Sequence, residues 1–375
     1  MNAPAAMEKT DHTPRLILVD GSGYIFRAYH ALPPLTRRDG TPVGAVLGFT
    51  NMLIKLREQY KHDMLAVIFD HGRATFRSEI YPDYKMNRSE TPEDLIPQFP
   101  LVREATRALN IPAIELENYE ADDLIASYAH AARREGREVV IVSSDKDLMQ
   151  LIVDGEITMM DPMKNKTIAS AEVMEKFGVT PDKVVEVQSL IGDATDNVPG
   201  VPSIGPKTAA ELINQFGDLE GVLANLEQIK QPKRREVLTT HAEKARLSRV
   251  LVELKCDLAL PTPLADLVTK SFDSATLMAF LEHQNFNSQA KKMGGASGAT
   301  SSGSEMAHHP GSPQATPGYP STRRDSSFAT AAGDGFRFRP VRAEERQQRA
   351  SDRPGDVPGL RRDILCLNSG LRISR

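Results

Sequence analysis

Residues 138–147, EVVIVSSDKD, decide the fold: an apolar run stops on two aspartates, Asp145 and Asp147, one residue apart. The plain reading is a strand followed by a capped helix, since Ser and Asp are favoured at helix starts and acids suit the positive end of a helix. Two other runs have the same shape, RLILVD at 15–20 and LAVIFD at 65–70. None alternates apolar with polar residues, which is the pattern of strands buried on both faces of a parallel sheet. Helical patterns separate them, notably GAVLGFTNMLIKLREQY at 44–60 and ADDLIASYAHAARREG at 121–136. This alternation predicts an α/β fold with a parallel sheet. All three strands run into aspartate, at Asp20, Asp70 and Asp145. Sites in open α/β sheets form beyond the carboxyl ends of the strands, so these acids are expected to converge.

The chain has 375 residues, 40% hydrophobic and 26% charged, which suits about two globular domains and a tail. Its N-terminus has no apolar core of a signal peptide, and no run approaches the roughly 18 apolar residues of a membrane span, so a cytoplasmic protein without membrane partners is expected. Cys256 and Cys366 are the only cysteines. They are too few for a disulfide framework or a cysteine-rich metal site, so any metal would take oxygen ligands. The net charge of -4 is uneven: residues 291–375 carry 14 basic against 8 acidic residues, and the remainder 32 against 42. An acidic body argues against simple nucleic-acid binding unless many of the acids hold cations, which reverse the local field.

Between the second strand and the helix near 100 lies a long connection, HGRATFRSEIYPDYKMNRSETPEDLIPQFP. Arg73, Arg77, Lys85 and Arg88 interleave there with Phe76, Tyr81 and Tyr84, a pattern that suits a single nucleic-acid strand and equally a solvated loop with aromatic anchors. From about 170 the chain reads as helical. Its centre, NVPGVPSIGPKTAAELI at 197–213, resembles a P-loop only superficially, because Pro206 intervenes before Lys207 and no strand precedes it. Two glycine turns entering a helix fit a helix-hairpin-helix that grips a DNA phosphate through backbone N–H groups. After Met293 the chain becomes Gly, Ser and Pro rich, the composition of a linker or disordered tail.

Two more acidic clusters join the strand ends: YEADDLI supplies Glu120, Asp122 and Asp123, and IGDATDNVPG supplies Asp193 and Asp196. Like charges at 4 Å repel by about 4 kcal/mol at an effective dielectric of 20, so converging carboxylates either protonate or take divalent cations. Without a His or Cys cluster, Mg²⁺ or Mn²⁺ is favoured. Two such ions about 3.5–4 Å apart can activate water and stabilise the leaving oxygen of a phosphodiester.

With DGSGYIFRAYHALPPL, FDHGRATFRSEIYPDYK, YEADDLIA, SSDKDLMQL and GDATDNVPGVPSIGPKTA in that order, residues 14–290 resemble the 5'-nuclease domain of bacterial DNA polymerase I, in the flap endonuclease family. The resemblance implies a PIN-like nuclease domain over 14–175 with a helical arch at about 71–100, a helix-hairpin-helix DNA-binding region over 176–290, and a low-complexity tail over 291–375. It implies 5'-3' exonuclease and flap endonuclease activity on branched, 5'-flap or RNA-primed DNA, in primer removal and repair. By the same carry-over, Asp20, Asp70, Glu120, Asp122, Asp123, Asp145, Asp147, Asp193 and Asp196 would hold two or more Mg²⁺ or Mn²⁺ ions. Lys85 and Arg77 would orient the scissile phosphate, and Arg73, Tyr81, Tyr84, Arg88, Gly200, Gly205, Lys207 and Thr208 would contact DNA. A K⁺ ion at the hairpin is also implied. Ser203 stands where the family usually has glycine, which is costly if that position needs positive φ. The 85 residues from 291 cannot encode a polymerase and read either as a basic extension or as out-of-frame sequence, so a monomer working beside a separate polymerase is expected. The competing readings are a non-catalytic DNA-binding module and an aspartyl phosphatase using Asp20 as nucleophile.

Overall fold

Leu16–Asp20 (β1) is buried at every position, with Leu16 and Leu18 on one face and Ile17 and Val19 on the other. That two-sided burial explains the unbroken apolar run, and it recurs in β2, Met64–Ile68. The structure, a computed structural model, describes residues 13–297. Its sheet has six strands, completed by β3 (Ala113–Ile114), β4 (Val139–Val142), β5 (Ile157–Asp161) and β6 (Lys166–Ile168). Their order is β3-β2-β1-β4-β5-β6, with β6 antiparallel to β5 and every other pair parallel. Val19 pairs with Val67 on one side and Val142 on the other, so the strand order reverses at β1. Asp20, Asp70 and Asp145 therefore leave the sheet at one end, around its topological switch point.

Thirteen α-helices are present among the described residues. The nuclease part holds α1 (Gly21–Ala31), α2 (Gly44–Gln59), α3 (Phe76–Ile80), α4 (Gln98–Ala108), α5 (Ala121–Arg134) and α6 (Ser170–Phe177). Then follow α7 (Val184–Ile191), α8 (Pro206–Phe216), α9 (Leu219–Ala224), α10 (Pro232–Thr240), α11 (Ala242–Val252), α12 (Ser274–His283) and α13 (Asn287–Ser297). Tyr24, Phe49, Leu53 and Val102 fill one side of the sheet, where Leu277 and Leu281 of α12 join them. The other side is a single core running from Leu18 and Ile141 through Leu124 and Tyr128 to Val187, Leu190 and Ala209. The position near 175 thus separates motifs that share one core. Of the tail expected from 291, the first residues continue α13, and 298–375 lie outside the described residues. No described helix is long and apolar enough to cross a membrane.

The segment expected as a helical arch holds one short helix, α3, and otherwise turns. Pro82, Pro92 and Pro97 lack the N–H that helix continuation needs, and Lys85 adopts φ +59°. The strap is laced to the 193–198 loop: Lys85 N donates to Asp196 O at 2.9 Å. Asn87 Nδ2 donates to Ala194 O at 2.6 Å and Asn197 Nδ2 to Asp83 O at 2.7 Å.

Helices α7 and α8 and the turns between them form the hairpin read from the sequence. Gly192 and Gly200 have φ +69° and +57°, and a Cβ on Gly200 would stand 2.5 Å from the Ile191 carbonyl carbon. Gly200, expected to contact DNA, is instead buried where two backbone segments cross. Ser203 has φ +64°, a region that disfavours any side chain with a Cβ. Ser203→Gly should therefore raise stability by about 0.5–1 kcal/mol, read as a higher urea midpoint. An unchanged or lower midpoint would show that the turn carries no strain.

Candidate active site

Asp20 ends β1 and caps α1, accepting from Gly23 N at 2.8 Å and from Ser143 Oγ at 2.8 Å. Burial, and then the charges of Asp70 and Asp145, push its carboxyl up to about 6 in spite of those two bonds. Asp70 accepts from Ser22 Oγ at 2.5 Å and from Ala121 N, at the start of α5, at 2.8 Å. Asp122, in the first turn of α5, is raised well above the carboxylate range by burial, then by Asp145, Asp20, Asp70 and Glu120. Asp145 is exposed, and its Oδ1 accepts from Asp147 N at 3.0 Å, which opens a short 3-10 turn over Asp147–Leu151. Asp145 thus bonds the first residue of that turn, whose cap is Lys146, while the acids at the strand ends also crowd together.

The remaining acids are engaged by cationic side chains. Lys146 Nζ bridges Asp147 Oδ1, at 3.1 Å, and Asp193 Oδ2. Asp147 is raised by burial and Asp145, with Lys146 and Gln188 pulling it back. Asp193 lies low, because Lys146 outweighs its burial. Lys85 Nζ lies 2.5 Å from Glu120 Oε1 and 3.6 Å from Asp196 Oδ2, and Arg88 pairs with Asp196 Oδ1 at 2.5 Å. Tyr84, buried, donates from its hydroxyl to Glu120 Oε2 at 3.1 Å. Burial opposes the charge on Lys85, and Glu120 and Asp196 more than restore it, so its proton is held more tightly than usual.

Arg77 and Asp123 differ from what their residue types suggested. Arg77 is 1% exposed and Asp123 0%. The guanidinium donates to Asp123 Oδ2 at 2.6 Å and Oδ1 at 2.8 Å, and to Leu251 O at 2.8 Å. Asp123 also accepts from Glu120 N and Lys255 N. With every lone-pair direction of Asp123 used and its side chain fully buried, this pair is a clamp joining α3, α5 and the end of α11, and Arg77 also reaches Glu120 Oε2 at 3.3 Å. Arg73 is exposed, bonding Thr91 Oγ1 at 3.1 Å, and Tyr81 closes α3 half-buried. Gly205 and Lys207 are exposed and Thr208 half-buried at the start of α8.

Sequence reading missed Ser22, Ser143, Lys146 and Gln188. Lys146 sits between two acids already singled out, and Gln188 interrupts an apolar helix face while 1% exposed, a signal that a polar group there has a buried task. Gln188 Nε2 donates to Asp147 Oδ1.

Among the described residues no three carboxylate, histidine or cysteine side chains already surround one point as a ready-made ion site. The donor set nevertheless fits hard divalent cations: it is all oxygen, and burial, and then the charges of neighbouring acids, make Asp20 and Asp122 hold their protons tightly.

A family model described as the 5'-3' exonuclease N-terminal resolvase-like domain matches residues 15–178, and one described as the 5'-3' exonuclease C-terminal SAM fold matches 179–275. DNA polymerase I of Rhizobium leguminosarum is 51% identical over 311 residues, 81% of this chain but 30% of that protein, so the chain spans under a third of this relative. The 5'-3' exonuclease of Aquifex aeolicus is 37% identical over 278 residues, 74% of this chain and 94% of that one. Two solved structures share the fold. The T5 D15 protein co-crystallized with metal ions has a TM-score of 0.56 at 21% identity, over 74% of this chain and 99% of that one. The catalytic core of Rad2 in complex with DNA substrate has a TM-score of 0.52 at 17% identity, over 75% and 91%. A switch-point acidic cluster, a hairpin of helices and two adjoining family matches make one assignment: the chain belongs to the 5'-3' exonuclease family.

Proposed function

We propose that this chain is a structure-specific 5' nuclease that uses Mg²⁺ or Mn²⁺ to hydrolyse phosphodiesters where single-stranded and duplex DNA meet. The carrying observation is the crowding of Asp20, Asp70 and Asp145, at the ends of three neighbouring parallel strands, with Asp122 in the first turn of α5, where burial and then the charges of neighbouring acids raise the proton affinity of Asp20 and Asp122. Asp20, Asp70, Asp122 and Asp145 would hold one ion, and Asp147 and Asp193 a second. Divalent ions there supply Lewis-acid polarisation of the phosphate and of the attacking water.

The chain's own residues do the rest. Lys85 stands over Glu120 at the mouth of the cluster and can turn its ammonium to the phosphate as charge develops. Tyr84 and Arg88 hold the strap that presents it. The exposed start of α8, with Lys207 and Thr208, grips a duplex phosphate, and a K⁺ ion in the hairpin belongs to the same reading. Contacts of this kind read junction shape rather than sequence, and they suit 5'-flap and RNA-primed substrates in primer removal beside a separate polymerase.

A 5'-labelled flap duplex tests the reading, incubated with Mg²⁺, with chelator, and with an Asp145→Asn, Asp147→Asn variant. Cutting near the junction that needs the metal and disappears in the variant, with binding kept, is expected. Binding without cutting in either Mg²⁺ or Mn²⁺ would leave a DNA-binding module instead.

A further inference from the structure

The acids divide by what already neutralises them. Asp20, Asp70 and Asp145 accept from hydroxyl and backbone N–H groups, from Ser143 and Gly23, from Ser22 and Ala121, and from Asp147 N. Neither these three nor Asp122 has an ion pair among the described residues. At the other end, one ammonium serves two carboxylates: Lys146 Nζ contacts both Asp147 and Asp193.

Lys146 is aimed there by its backbone. Asp145 N donates to Ser143 Oγ at 3.0 Å and Asp147 N to Asp145 Oδ1 at 3.0 Å, which fixes the residue between them as the cap of the 3-10 turn. Its two partners are anchored independently. Asp193 Oδ1 accepts from Thr195 N at 2.7 Å, and Asp147 Oδ1 also accepts from the buried Gln188. Both carboxylates therefore keep their places if the ammonium moves away. The Lys146 side chain is 35% exposed, so it has a path to water.

We propose that Lys146 is an internal counter-ion which a divalent cation must displace from Asp147 and Asp193, making this end of the cluster the weaker of two cation sites. The inference rests on the metal-dependent reading of the same site. It assigns Lys146 a positioning role, acting through the two carboxylates on when the second cation is held. The lysine keeps that end compact and cancels one of its two negative charges until a cation arrives, whereas the Asp20–Asp122–Asp145 end, which holds no cationic side chain, fills first.

Direct cation binding tests this without relying on turnover. Mn²⁺ is titrated into the folded chain by calorimetry, with free Mn²⁺ followed by its electron paramagnetic resonance signal. The wild type should show a tight and a weak class. Lys146→Met, which keeps the aliphatic stem and removes the charge, should tighten the weak class by about 10–100-fold, the usual scale for groups that tune metal ligands, and leave the tight class unchanged. Lys146→Arg, which keeps the charge, should bind as the wild type does. Lys146→Gln supplies the neutral comparison if the methionine variant does not fold. A Lys146→Met curve that superimposes on the wild type, or is weaker, overturns the proposal while leaving the metal-dependent reading intact. No Mn²⁺ bound by wild type or variant overturns both.

Discussion

Arg77→Ala is expected to cost about 3–5 kcal/mol of folding stability, the range for removing one partner of a buried ion pair. The loss is large because Asp123, 0% exposed, would keep its charge with only the N–H groups of Glu120 and Lys255 for company. The Leu251 carbonyl would also lose a donor 174 positions away in sequence. Burial alone would lower the proton affinity of Arg77, and Asp123 with Glu120 reverses this, so the guanidinium stays charged throughout the folded range. Urea unfolding of Arg77→Ala, and of an Arg77→Met, Asp123→Asn double variant that recovers part of the loss, measures the clamp. A single variant as stable as the wild type but unable to cut would return Arg77 to the scissile phosphate and refute the clamp.

Asp122→Asn should act in opposite directions on activity and stability. Cleavage should fall by at least about 100-fold, because the α5 carboxylate nearest the strand-end acids is lost. Thermal stability at pH 7.5 in chelator should rise, because burial and then Asp145, Asp20, Asp70 and Glu120 disfavour the Asp122 carboxylate in the fold, whereas the unfolded chain carries it at no such cost. The pH dependence has a definite sign. A carboxyl whose folded affinity for protons exceeds its unfolded one stabilises the protonated fold, so the wild type loses stability as pH rises past the unfolded value of 3.8 towards the folded value of about 6 for Asp20. Asp20 alone contributes about 3 kcal/mol to that decline. The advantage of Asp122→Asn should grow as pH rises above the unfolded carboxylate value, shrink towards pH 4, and reverse when Mg²⁺ is added to the wild type. A variant that melts below the wild type at pH 7.5 in chelator would show that Asp122 bears no such repulsion.

The three strands legible in the sequence are those buried on both faces, where each position must be apolar. β3 spans two residues and offers no pattern, and β5 and β6 lie towards the open edge, where Thr158, Lys166 and Thr167 dilute the signal. The acids were legible because strand ends and short acidic clusters are local features. Their partners were not. A basic residue in the 71–100 segment reads the same whether it points to solvent, as Arg88 partly does, or into a sealed interior, as Arg77 does, and only carbonyls from residues 251 and 253 decide between them. Ser203 was the reverse case, where a single residue type foretold a strained backbone angle.

The lacing between the 83–87 strap and the 194–197 loop gives the molecule a gearing. Lys85 N, Asn87 Nδ2 and Asn197 Nδ2 stitch the segment that carries Lys85 to the loop between α7 and α8 that carries Asp193 and Asp196. An opening of the strap has to part these three bonds, and that motion pulls on the loop between α7 and α8. Strap and hairpin then open as one local unit, and on the proposed function access to the acids and the duplex contact change together.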